Sequence, residues 1–200
     1  MSRLVLQMQS SIDGFVSSTV PGSRWQLWDW GPEWTWSLDL RRAFNAVFAD
    51  AAAILLSPMM LREGYLDHWT RMGEEHRDDP DWAFARRIAE LPVFVPSREP
   101  RDLPDHPHVR AVPGPLAETV PVVRDQADGD VLCFGGAGLG AALVEADLVD
   151  ELQLFVNPGL AGEGERIFSP AVADRRLRPL GAEAYECGVV VTRWAREARV

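Results

Sequence analysis

Gly135-Gly136-Ala137-Gly138-Leu139-Gly140 joins an apolar run, Val131-Leu132-Cys133-Phe134, to an amphipathic one that carries Leu139, Ala142, Leu143 and Ala146. The pattern is that of a buried strand handing over to a helix through glycines. Backbone N–H groups at such a handover lack an intrahelical acceptor and lie at the positive end of the helix dipole, which suits a phosphate. The same glycines also serve a tight turn and close helix–sheet packing. On these residues alone both readings stand.

Working outward toward the N-terminus, Leu4 to Gln9 reads as a strand, with Leu4, Leu6 and Met8 alternating against Val5 and Gln7. Ser10 to Gly14 follows as a turn with Asp13 at its tip. Trp25, Trp28, Trp30, Trp34 and Trp36 are interrupted by Pro21, Gly22, Gly31 and Pro32, which excludes one regular element and leaves an aromatic loop. A helix is expected from Leu38 to about Ala49, then a short buried strand from Ala52 to Leu56 that Ser57-Pro58 ends. A helical turn or two at Met59 to Tyr65 comes next, and the acidic stretch Asp67 to Asp79 reads as a solvated insertion. Asp79-Pro80 opens a helix with Phe84, Ile88 and Leu91 on its buried stripe. Pro92 to Pro96 and Val109 to Val112 are expected strands, with Ser97-Arg98 at the carboxyl end of the first. Leu116 to Gln126 is expected to be helical in part, Pro121 delaying or kinking it.

Beyond the glycines, Glu151 to Asn157 alternates as a strand, Pro158 to Glu165 is a loop, and Arg176 to Ala184 with Glu186 to Ala195 forms a hairpin. Strands alternating with helices and then strands alone define an α/β fold: a mainly parallel sheet, helices on both faces, an antiparallel edge. At 200 residues and 46% hydrophobic content the chain is expected to be a single domain.

The charge of −10, from 30 acids against 20 bases, argues against nucleic-acid or anionic-membrane partners. Every base is arginine, so Schiff-base, Walker-type and lysine-base chemistries are excluded. Cys133 and Cys187 form neither a CxxC pair nor a metal spacing, as expected of thiols in a reducing cytoplasm. The apolar run after Arg3 is too short for a signal peptide, and a cytoplasmic protein is expected. There is no Gly-x-Ser-x-Gly elbow and no His-Glu-x-x-His; His106 and His108 read as surface histidines, and no metal site is expected. Gly136 to Ala141 satisfies G-x-G-x-x-A, but four strands precede it, whereas a Rossmann fingerprint belongs to the first βαβ unit.

Phe134-Gly135-Gly136-Ala137-Gly138-Leu139, Leu143, Ala146 to Leu152, Pro158, Gly162-Glu163-Gly164 and Phe168 together resemble the dihydrofolate-reductase-like proteins related to the riboflavin-biosynthesis reductase C-terminal domain. Ser11-Ile12-Asp13-Gly14-Phe15 and Asp29-Trp30 resemble the family's first-strand turn and the end of its active-site loop, so the likeness covers about Arg3 to Arg193. It implies a three-layer α/β/α fold with a mixed sheet, a homodimer, and an oxidoreductase that binds NADPH, with NADH as the alternative. It also implies that Gly135, Gly136, Ala137, Gly138 and Leu139 hold the pyrophosphate, with Ser97 and Arg98 near the adenosine end. Relatives carry Gly-Arg-x-Thr where this chain has Ser57-Pro58-Met59-Met60, and Ser57 takes that place at the cofactor. Family members also carry Glu before the paired glycines and an active-site lysine; here Phe134 stands and lysine is absent.

The expected reaction is hydride transfer to a small flat molecule stacked among Trp25, Trp28 and Trp30. Asp13 is the acid expected to deliver a proton, its pKa raised by partial burial; the bland reading of Asp13 is a turn cap. A non-catalytic binding protein on the same fold is the alternative, and a flavin-type or deazaflavin-type ligand is a third.

Overall fold

Seven residues, Leu4–Ser10, form β1, and six of them are buried. A strand hidden on both faces needs hydrogen-bonded neighbours on both edges. In the computed structural model, which describes residues 2–23, 36–97 and 103–197, those neighbours are β5 (Asp130–Cys133) and β6 (Glu151–Val156), both parallel to β1. β2 (Ala51–Leu55), β3 (Val93–Pro96) and β4 (Val109–Val112) continue the parallel sheet beyond β5. On the other side β8 (Val190–Arg196) runs antiparallel to β6, and β7 (Leu177–Ala184) closes the edge. The order is β4-β3-β2-β5-β1-β6-β8-β7.

Strand alternation divides the core in two. Val5, Ile54, Leu132, Phe155 and Val191 face one way and pack under α1 (Leu38–Val47), α2 (Pro58–Arg62), α3 (Tyr65–Glu75) and α4 (Ala83–Glu90). Leu4, Leu6, Met8, Val131, Cys133 and Leu152 face the other way, against α5 (Leu116–Gln126) and α6 (Ala137–Glu145). The expected mainly parallel sheet with helices on both faces and an antiparallel C-terminal hairpin is the observed fold.

Two local readings change. The acidic stretch from Asp67 to Asp79 is not a solvated insertion, because most of it is α3, which buries Tyr65, Leu66, Trp69 and Gly73. Those residues recur at helical spacing, so the acids occupy only the opposite face. α5 runs unbroken through Pro121 from Leu116 to Gln126, so the proline neither delays nor divides it.

Phe84 on α4 is 0% exposed, lies edge-on to Phe44 and Trp69 at centroid distances of 5.2 and 5.4 Å, and stacks on Trp82 at 5.7 Å. Phe84→Ala removes the ring that joins α1, α3 and α4, and is expected to cost about 3–5 kcal/mol. Urea unfolding at unchanged m-value checks it.

Candidate active site

The connections out of β1 and β5 leave the sheet on opposite faces: α1 lies over the Val5 side and α6 over the Met8 side. β1 and β5 are adjacent, so their carboxyl ends flank a topological switch point, where open α/β sheets bind ligands. The glycine turn stands there. Gly135 has φ +94°, and a Cβ on it would meet Met8 Sδ at 2.5 Å. Only glycine combines that left-handed backbone with that approach.

α6 begins at Gly136 without a side-chain cap and with no acid in its first turn. Its first backbone bond runs from Gly140 N to Gly136 O at 3.0 Å, downstream of the Ala137, Gly138 and Leu139 N–H groups. A Cβ at Gly138 would meet nothing within 4 Å, so the turn has open space beside it. Uncapped donors, a helix dipole and room for an anion fit a phosphate group. The Gly136 N–H itself donates to Met60 Sδ at 2.9 Å.

β2 borders β5, and this brings Ser57 to the glycines: its Oγ lies 3.5 Å from where a Gly136 Cβ would stand. Ser57 Oγ also accepts from Met60 N at 3.2 Å, capping α2. Ser97 lies one strand further out, at the carboxyl end of β3, where its N–H donates to Val112 O at 3.2 Å. Trp25, Trp28, Trp30 and Arg98 lie outside the described residues. Trp36 is buried, stacked on Phe155 at 5.3 Å and edge-on to Phe44 at 5.1 Å.

Asp13 behaves differently from the sequence expectation. Its Oδ1 accepts from Ala161 N at 3.0 Å and its Oδ2 from Gly162 N at 2.7 Å. Those donors, with the Ser11 hydroxyl, take its pKa down from the ordinary 3.8 to about 2 instead of raising it. The carboxylate is thus ionised at neutral pH and clamps two loops. Further bonds run from Ile12 N to Gly159 O, Val16 N to Glu165 O and Thr19 N to Glu163 O. Gly164 is pressed against the opposing loop so closely that a Cβ would fall 1.6 Å from Ser17 O.

Sequence reading missed a trough of about 350 Å³ beside α1. Val5, Phe44, Leu132 and Phe155 supply apolar lining, and Glu151 and Gln153 supply polar lining from β6. Tyr185, at the hairpin end, donates to Glu183 at 3.0 Å, and burial with that carboxylate pushes its phenol up to about 12. The signal was present in the alternation of β1 and β6, which places Gln7, Gln153 and Glu151 on a buried face. Cys133 is buried, its thiol pushed up to about 12, so it is inert at neutral pH. Among the described residues no group of His, Cys, Asp and Glu is arranged to hold a metal, and no described helix is long and apolar enough to cross a membrane.

A mixed sheet of this order, with a glycine-opened helix at its switch point, defines a dihydrofolate-reductase-like fold. The chain belongs to the RibD C-terminal domain family, whose model matches residues 2–191. It is 24% identical over 184 residues to the riboflavin biosynthesis protein RibD of Haemophilus influenzae, covering 80% of this chain and 48% of that protein. The chain thus spans about half the length of this curated relative. Among solved structures, a Shewanella protein described as belonging to riboflavin biosynthesis superposes with TM-score 0.65 at 18% identity, over 98% of this chain and 99% of that one. Dihydrofolate reductase of Enterococcus faecalis, solved with NADP(H), superposes with TM-score 0.58 at 14% identity, over 98% and 97% of the two chains.

The Asp13 clamp has a pH signature. A carboxylate with a depressed folded pKa stabilises fully above its unfolded value, near 3.8, and loses that contribution as pH falls toward 2. Asp13→Asn is expected to lower the melting temperature at pH 7 and to flatten its fall between pH 4 and 2, measured by calorimetry across that range.

Proposed function

We propose that the protein is a nicotinamide-dependent reductase of a small flat molecule. The observation that carries this is the uncapped, acid-free start of α6 at the β1/β5 switch point, within reach of Ser57. In this reading Gly135, Gly136, Ala137, Gly138 and Leu139 hold the pyrophosphate of NADPH, or of NADH, with Ser57, Ser97 and Arg98 toward the adenosine end. When bound, that cofactor supplies the hydride. The substrate is proposed to lie at the same carboxyl ends of β1 and β5, bordered by the first-strand turn and by Trp25, Trp28 and Trp30, whose aromatic faces suit a flat molecule.

Asp13 takes a positioning role in place of the proton delivery expected of it. It fixes the first-strand turn against the loop at Ala161-Gly162, and that turn borders the crevice. The alternative, a binding protein without turnover, draws support from Ser57-Pro58 standing where relatives carry an arginine, and from the commitment of Asp13 to loop bonds. Cytoplasmic location fits the reducing-compartment reading of two unpaired thiols. A homodimer is proposed through β7, all of whose residues are exposed, with Leu177 and Leu180 at 39%. Sedimentation at twice the chain mass is the expected result.

Titration with NADPH and with NADH, followed by tryptophan emission, is expected to give saturable quenching at micromolar concentration. No response to either sinks the reductase reading, whereas quenching without consumption of NADPH in the presence of candidate acceptors moves the protein to the binding class. Arg98→Ala is expected to weaken NADPH by about tenfold or more and NADH much less, because a guanidinium–phosphate contact is lost only with the former. Equal losses refute that role.

A further inference from the structure

The glycine turn has no side chain of its own to orient it. Gly135 is left-handed, and Gly136, the N-cap of α6, offers no side-chain bond. Contacts from outside must therefore fix it, and two of them are methionine sulfurs. Met8 Sδ fills the space beside Gly135, a steric contact. Met60 Sδ instead accepts from the Gly136 N–H at 2.9 Å, in a side chain 4% exposed.

The sequence brings Met60 there through register. Leu55 on β2 is level with Cys133 on β5, so two residues later Ser57 emerges level with Gly135. Ser57 Oγ accepts from Met60 N at 3.2 Å, and Pro58 opens α2 behind it. The chain thus winds at once into a turn whose third helical residue is Met60. Two atoms of that turn flank Gly136: Ser57 Oγ, 3.5 Å from where its Cβ would stand, and Met60 Sδ on its N–H.

A thioether sulfur accepts hydrogen bonds and never donates. It therefore distinguishes the two orientations of the Gly135-Gly136 peptide plane. In a trans peptide the N–H and C=O point opposite ways, so turning the plane over sets the Gly135 carbonyl against an electron-rich sulfur. That rotation changes ψ of Gly135 and φ of Gly136, the two angles through which β5 hands over to α6. Glycine resists neither change, so the choice falls to the sulfur.

We infer that Met60 is a positioning residue for the cofactor phosphates: its sulfur, as an acceptor and not as core packing, holds the Gly135-Gly136 plane in the orientation from which the Ala137, Gly138 and Leu139 N–H groups open at the switch point. The inference rests on the nicotinamide reading proposed above and deepens it.

Two variants of the full chain separate accepting from packing. Met60→Leu keeps the apolar bulk and removes the acceptor, whereas Met60→Gln keeps the length and an acceptor carbonyl but spoils the apolar packing. Solvent exchange of the Gly136 amide is measured by NMR without ligand, relative to the amide of Val95 on buried β3, and NADPH affinity by tryptophan emission. Met60→Leu is expected to speed the relative exchange and to weaken NADPH, each by about tenfold, as an amide loses its acceptor. Met60→Gln is expected to leave both within about threefold. A packing role gives the reverse order, with Leu tolerated and Gln not, and that order overturns the inference. Loss in both variants also overturns it, as does unchanged relative exchange in Met60→Leu. Because exchange is read without cofactor, it decides the role of Met60 even where NADPH fails to bind. Tight NADPH binding with unchanged exchange leaves the reductase reading standing and removes Met60 from it.

Discussion

The contact between Met8 and Gly135 is the constraint on which the crevice depends. Met8 is 1% exposed and belongs to the core beneath α5 and α6, yet its sulfur also fills the space where a Cβ on Gly135 would be. The same sulfur lies 3.4 Å from the position of a Cβ on Gly140. One side chain therefore sets the height at which β5 ends and the angle at which α6 starts. Because α6 starts close against β1, its first free N–H groups open at the switch point instead of over the core.

The opposite face of β1 carries a different burden. Parallel strands covered by helices ordinarily read as continuous apolar runs, and β1 breaks that rule at Gln7. Buried amides are tolerated only when their groups are paired. Arg193 donates to Glu151, Gln153 to Glu151 and Gln7 to Gln153, and of these side chains only Gln7 leaves a buried atom, Oε1, without a partner among the described residues. Strand β1 thus presents a packed sulfur to the α5 and α6 face and an amide carbonyl to the other, and the period of two places both within successive residues.

Much of this was legible in the sequence, and the omissions have causes. The glycine handover, the alternating β1 and β6 and the C-terminal hairpin rest on local patterns, and each appears where those patterns put it. α3 was obscured because its charged residues are as many as its buried ones; Tyr65, Leu66, Trp69 and Gly73 carry the helix on four positions. Asp13 was misjudged because its partners, Ala161 and Gly162, are 148 and 149 residues away, and no spacing rule reaches so far. The trough was hidden for the same reason, since its walls come from α1, β1, β5, β6 and the β7–β8 hairpin. Gln7 and Gln153 stood in plain view as polar residues within buried strands, but the direction of their bond follows only from Glu151 and its arginines.

The absence of lysine acquires a structural meaning here. Arg3 donates through Nε and one terminal nitrogen to both Asp130 oxygens, while its other terminal nitrogen reaches Glu151 Oε2. A planar fork with five donors spans two carboxylates at fixed angles, which a single ammonium does not. Arg193 then approaches Glu151 from β8, so the carboxylate is held from both flanks of the sheet. A lone buried carboxylate is costly and adaptable, whereas one held between two guanidiniums keeps its orientation. Fixing Glu151 fixes Gln153, and fixing Gln153 fixes Gln7. The orientation of the buried amides on two central strands is thereby decided by arginine geometry, several side chains away.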